Sequence, residues 1–170
     1  MATSRRQFVA IAATTLGLAP IVAWISGPSF ANGAAPARTF PFQKSDAEWR
    51  AALTAAQYRV LRLGRTEMAG SSSLNREKRR GTFVCAGCGR RLFASDTKFE
   101  SGTGWPSFLA PLERGVETSV DRSWFMVRTE VHCANCGGHL GHLFDDGPKP
   151  TGLRYCMNGA ALSFVPSGTP

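Results

Sequence analysis

Acidic charge is sparse in this chain: 12 Asp and Glu face 20 Lys and Arg, a formal charge of +8. The excess forms neither a long basic run nor an amphipathic basic helix, which argues against a nucleic-acid or membrane-binding surface and for a solvated basic face. Past residue 37 nothing resembles a long helix, and the only internal repeat is a doubled Cys-x-x-Cys. Histidine is scarce, three in all, yet two of the three lie in the stretch that also holds a Cys-x-x-Cys and an isolated cysteine. What remains is globular: 43% hydrophobic and 19% charged residues with 18 glycines, enough for one domain and a tail.

Residues 1–37 read as a twin-arginine export signal, with Ser4-Arg5-Arg6-Gln7-Phe8 preceding a mildly apolar Val9-to-Ile25 region broken by Gly17 and Pro20. A retained anchor is the alternative, and the segment barely reaches the roughly 20 apolar residues a span needs. Cleavage after Ala31 or after Ala37 fits equally. The signal places the mature protein in the periplasm, with membrane contact only through the uncleaved signal. Residues 38–43 read as a linker, 44–166 as the folded domain and 167–170 as a tail.

Ser45-Asp46-Ala47-Glu48 is a capping box opening a helix through Leu53, and Thr54-Ala55-Ala56-Gln57 opens a second through about Leu63, stopped by Gly64. Trp49, Leu53, Tyr58 and Leu61 have the spacing of a buried face. Residues 67–80 read as a polar loop long enough to be mobile. Strand-like runs follow at Thr82–Cys85, Arg91–Phe93, Trp124–Arg128 and Glu130–His132. Turn-rich Gly147–Gly152 then leads to a strand presenting Cys156 and a returning strand at Ala160–Phe164. The expected fold is mainly β, a small antiparallel sheet domain with short N-terminal helices.

Cys85-Ala86-Gly87-Cys88 and Cys133-Ala134-Asn135-Cys136 are tight turns on which two thiolates can face one ion, and two such turns complete a tetrahedral Zn²⁺ shell with no open position. Such a site is structural, one zinc per chain. With 44 residues between the pairs, the ion would tie distant hairpins of one domain. Two disulfides, or a thioredoxin-like pair lacking its βαβ setting, are the alternatives.

Five cysteines less four ligands leaves Cys156. A lone cysteine is commonly a small buried hydrophobe. Here Arg154 would favour the thiolate by charge, Asn158 falls on the same strand face, and His139 and His142 can exchange protons. In Glu100-Ser101-Gly102-Thr103-Gly104-Trp105-Pro106-Ser107-Phe108, glycines bracket a Trp held by Pro, a loop suited to an aromatic wall.

Lys98–Phe108, Cys136–Phe144, Asp146-Gly147-Pro148 and Arg154-Tyr155-Cys156-Met157-Asn158 closely resemble the peptide-methionine (R)-S-oxide reductases, the MsrB family, in order from about Lys44 to Val165. The resemblance implies a β-rich fold, a four-cysteine zinc site in many members, and reduction of the R epimer of methionine sulfoxide. It implies Cys156 as nucleophile, His142 and Asn158 holding a water or the sulfoxide oxygen, and Trp105 receiving the S-methyl group. It further implies that His139 and Asp146 shape the polar pocket and that Arg154 favours the thiolate. Partners are methionine sulfoxide in proteins or peptides and a thioredoxin-like or small-thiol reductant; no nucleic acid is expected, and the chain is expected to be a monomer. Many members carry a resolving cysteine where this chain has Thr103. Two other classes compete: a zinc-stabilised β module binding protein or nucleic acid, which leaves Cys156, His142 and Trp105 idle, and a thiol hydrolase, for which no oxyanion hole is evident.

Overall fold

The computed structural model describes residues 39–168, so the expected export signal and the end of the tail lie outside the described residues. Ser45 caps α1 (Asp46–Ala52) through a reciprocal box with Glu48, and Thr54 caps α2 (Ala55–Leu61) the same way with Gln57. Each box satisfies two backbone N–H groups that a short helix otherwise leaves to water. Trp49, Leu53, Tyr58 and Leu61 are buried, as their spacing requires. Among the described residues no helix is long and apolar enough to cross a membrane.

Among the described residues nine strands follow: β1 (Gly81–Cys85), β2 (Arg91–Ala94), β3 (Lys98–Phe99), β4 (Ser107–Phe108), β5 (Val116–Asp121), β6 (Arg128–Cys133), β7 (His139–Phe144), β8 (Arg154–Met157) and β9 (Leu162–Pro166). They form a three-stranded sheet in the order β2-β1-β9 and a six-stranded sheet in the order β3-β4-β8-β7-β6-β5, and every pairing is antiparallel. The expected β-rich architecture with two N-terminal helices is what the chain adopts. Aromatic rings join the sheets: Phe93 of β2 stacks on Phe108 of β4 at 4.3 Å, and Phe83 of β1 meets Phe108 edge-on at 4.9 Å. All three rings are fully buried, so the core lies between the sheets.

Three local expectations need correction. The apolar run Trp124–Arg128 is not a strand: a 3₁₀ turn at Ser123–Phe125 closes the β5–β6 hairpin, and the strand starts only at Arg128. Asp121 pairs across the hairpin with Arg128 and accepts a hydrogen bond from the Ser123 N–H at 2.8 Å, so the intervening residues must turn whatever their β propensity. The return to the core begins with a 3₁₀ turn at Gly159–Ala161, and β9 starts at Leu162. Residues 67–80 are also not featureless. They include a 3₁₀ helix at Ser73–Arg76 capped by Ser72, and the Gly70 N–H donates to the Gly104 carbonyl at 2.7 Å.

Candidate active site and metal centre

Register assembles the site. In the larger sheet Glu130 lies opposite His142, His142 opposite Cys156, and Cys156 opposite Ser107, a single row across β6, β7, β8 and β4. Directly opposed residues share a face with Cβ atoms about 5 Å apart, so the row sets an imidazole beside the thiol. The next row on that face is Asp121, Arg128, Phe144 and Arg154. Gly141 permits the close approach of β7 to β8, since a Cβ there would come within 2.1 Å of the Cys156 carbonyl oxygen. A one-residue irregularity between Val131 and His132 in the β6–β7 pairing re-aims His139, whose ring meets that of His142 edge-on at 5.3 Å.

Each histidine has a carboxylate. Nε2 of His142 lies 2.8 Å from Asp121 Oδ2, and Nδ1 of His139 lies 2.7 Å from Glu130 Oε1. Hydrogen bonds from Ser123 and His142 hold Asp121 well below the usual carboxylate range, with Arg128 adding a 2.7 Å ion pair. The bond from His139 holds Glu130 at about 2. Burial lowers the pKa of His142 despite the opposing pull of Asp121, which favours a neutral ring near pH 7. An ionised Asp121 accepts the Nε2 proton, so in that tautomer Nδ1 is the basic nitrogen of His142.

Trp105, His142, Cys156 and Asn158 line one small cleft of about 150 Å³, together with Thr66, Arg128, Gly141, Phe144 and Met157. Four of the residues singled out from sequence are therefore brought together. The amide of Asn158 is buried and fixed at both ends: Oδ1 accepts from the Glu67 N–H at 3.0 Å and Nδ2 donates to the Leu140 carbonyl at 3.0 Å. The Trp105 indole N–H donates to the Glu67 carbonyl at 3.2 Å. Thr103 Oγ1 stands 3.9 Å from Cys156 Sγ, at the end of a hydroxyl chain through Ser101 to Ser107.

The other three fall around this cleft rather than in its lining. His139 and His142 both border a neighbouring cleft with Asp121 and Glu130. Arg154 is buried, forms two 2.7 Å bonds to Asp146 and stacks over Phe144 at 4.4 Å, while the Asp146 side chain is 59% exposed. The bidentate bond raises the pKa of Arg154, and part of its charge faces Cys156.

Cys85, Cys88, Cys133 and Cys136 bring their sulfurs within 4.8 Å of one another. Cys85 and Cys136 are 3.7 Å apart, Cys88 and Cys133 3.6 Å. Four sulfurs at 2.3 Å from a tetrahedral zinc have edges of about 3.8 Å, so the cluster matches the ion's size. Three of the cysteines are buried, and all four are free thiols rather than disulfides. The residues fit a closed structural zinc site. It bridges the sheets, because Cys85 ends β1 whereas Cys133 ends β6.

A family model described as the SelR domain matches residues 53–166. The chain belongs to this family. Curated relatives, each named peptide methionine sulfoxide reductase MsrB, include one from Leptospira interrogans, 55% identical over 126 residues that cover 74% of this chain and 96% of the relative. One from Bradyrhizobium diazoefficiens is 56% identical over 124 residues, covering 72% of this chain and 89% of the relative. One from Methanosarcina mazei is 52% identical over 124 residues with the same two coverages. Within this SelR domain, sequence reasoning passed over Asp121, Glu130 and Glu67. The alternation of Arg128 and Glu130 on β6 was the available signal for a polar sheet face; Glu67 gave none.

Proposed function

We propose that this chain reduces the R epimer of methionine sulfoxide, in proteins and as the free amino acid, to methionine, with Cys156 as nucleophile. The observation that carries this is the convergence of a thiol, a carboxylate-bonded imidazole, a buried amide and an indole on one cleft. The aromatic face of Trp105 suits the S-methyl group. His142 and Asn158 hold a water or the sulfoxide oxygen, which takes up two protons and leaves as water when the thiolate forms its bond to sulfur. Water then adds at the Cys156 sulfur as its bond to the substrate sulfur breaks, so methionine departs and Cys156 is left as a sulfenic acid, the substrate sulfur having gained the two electrons the cysteine loses. Arg154 stands two residues before Cys156 on β8, and Asp146 holds its guanidinium in place. The family membership and the MsrB-named relatives support this reading; a binding module would leave the cleft unused.

The test is turnover of racemic methionine sulfoxide with a chemical reductant, followed by chiral analysis. Only the R epimer should be consumed, and Trp105→Ala should lower kcat/KM for it by roughly 10- to 100-fold without opening the site to the S epimer. Equal turnover of both epimers would contradict the assignment.

Regeneration then runs through an external thiol, by way of an intermolecular mixed disulfide and a second thiol that releases Cys156. Thr103 has no sulfur to offer at the residue facing Cys156. The zinc thiols are out of range: β7 runs three residues from His139, beside the cluster, to His142 opposite Cys156, about 10 Å of strand. A disulfide requires Cα atoms within about 7 Å. Reacting the reduced, zinc-loaded protein with methionine sulfoxide in the absence of thiol should add one oxygen at Cys156, trappable by a sulfenic-acid reagent, with zinc retained. A stoichiometric internal disulfide with zinc released would overturn this.

The twin arginine Arg5-Arg6 supports export of the folded, zinc-loaded chain to the periplasm, a compartment that otherwise drives free cysteines toward disulfides. Replacing both with lysine should leave the protein in the cytoplasmic fraction. Unchanged periplasmic recovery would remove the export reading.

A further inference from the structure

Glu67 makes four hydrogen bonds that converge on the cleft. Its carboxylate accepts from two successive backbone N–H groups, Gly159 at 2.5 Å and Ala160 at 2.9 Å, at the start of the Gly159–Ala161 turn. Its own N–H donates to Asn158 Oδ1, and its carbonyl accepts from the Trp105 indole. The fit is close on this side, because a Cβ on Gly159 would stand 2.0 Å from Ser72 Oγ and 3.2 Å from Glu67 Oε1. The side chain thus fixes where residue 67 lies relative to residues 158–160, and the backbone of residue 67 fixes the indole and the amide relative to each other.

We propose that Glu67 is a positioning residue that sets the distance between the methyl-binding ring of Trp105 and the oxygen-facing amide of Asn158, and through it the preference for one sulfoxide epimer. The proposal rests on the activity given above. The two epimers differ by exchanging methyl and oxygen about sulfur. A site that distinguishes them must hold its methyl-binding and oxygen-binding groups at a fixed separation. Trp105 and Asn158 come from distant parts of the chain, and Glu67 is bonded to both. Charge-assisted bonds from a carboxylate to paired N–H groups are stronger than neutral ones and resist small displacements.

The experiment compares zinc-loaded wild type, Glu67→Gln and Glu67→Ala. Glutamine keeps one acceptor oxygen and should lower kcat/KM for the R epimer about tenfold; alanine keeps none and should lower it roughly a hundredfold, the cost of an ångström-scale misplacement. The R-to-S preference should narrow in the same order. Alkylation of Cys156 by iodoacetamide should keep the wild-type rate, which a general loss of structure would not permit. The Trp105 indole N–H resonance, assigned with Trp105→Phe, should move in both variants. If alanine prevents folding, the glutamine variant decides by the same readouts. Wild-type kcat/KM and epimer preference with an unmoved indole resonance overturn the proposal, as does slowed alkylation in step with activity. If wild type fails to reduce the R epimer, the reductase reading falls separately, and the indole resonance still decides whether Glu67 places the ring.

Discussion

Replacing Cys156 with Ser is expected to remove sulfoxide reduction almost completely, by at least about 10⁴-fold in kcat, while the protein keeps its fold, its zinc and its affinity for the R epimer. Serine changes one atom at a half-buried position, and β8 is held to its neighbours by backbone ladders through His142 and Ser107, which the substitution does not touch. What disappears is a polarisable thiolate able to attack sulfur and to end as a sulfenic acid. A serine alkoxide is far harder to form, and its bond to sulfur would leave no thiol-exchange route back to the free enzyme. The measurement is paired: turnover with excess chemical reductant, and the thermal midpoint of the same sample. Retention of more than a few per cent of turnover would move the nucleophile elsewhere, and no other free thiol among the described residues reaches this cleft.

The readability of this site differed by residue, for physical reasons. Cys156, Trp105 and Asn158 were legible because their side chains are costly to explain otherwise: a thiol left over after four ligands, a glycine-bracketed indole, and an amide beside the thiol. The capping boxes at Ser45 and Thr54 were legible because they are local, each closed within three residues. Asp121 and Glu130 act on the histidines only through the pairing of β5 with β6 and β6 with β7. Sequence alone does not give that register, and β5 and β7 were not singled out as strands. Glu67 is harder still. Its partners lie 38 to 93 residues away, and nothing local distinguishes it from a solvated loop carboxylate. The false strand at Trp124–Arg128 is the converse case: a run of strand-forming residues was overruled by a hairpin that had to turn there.

Stability should depend on the cysteines that do no chemistry. Cys136→Ser, or removal of zinc by a strong chelator, is expected to lower the thermal midpoint by at least about 10 °C, and Cys88→Ser, which removes a ligand from the other turn, should do the same. A structural zinc contributes on the order of 10 kcal/mol in small domains, comparable to the whole stability of an ordinary fold. Here the ion closes a loop in the architecture. Cys85 ends β1 of the three-stranded sheet and Cys88 follows it, while Cys133 ends β6 of the six-stranded one and Cys136 lies in the turn before β7. Losing one ligand leaves three thiols crowded at the seam between sheets, with Cys85 and Cys133 almost wholly buried. The damage should also travel, since Cys136 is joined by two glycines to His139 and β7, the strand that carries His142 to Cys156. Activity of Cys136→Ser should therefore fall with its folded fraction, whereas Cys156→Ser should lose activity at full stability. Metal content and thermal midpoint separate the two: one zinc per folded chain that is lost together with the midpoint is the expected result, and a zinc-free variant as stable as wild type would show that the sulfur cluster is not what holds the sheets together.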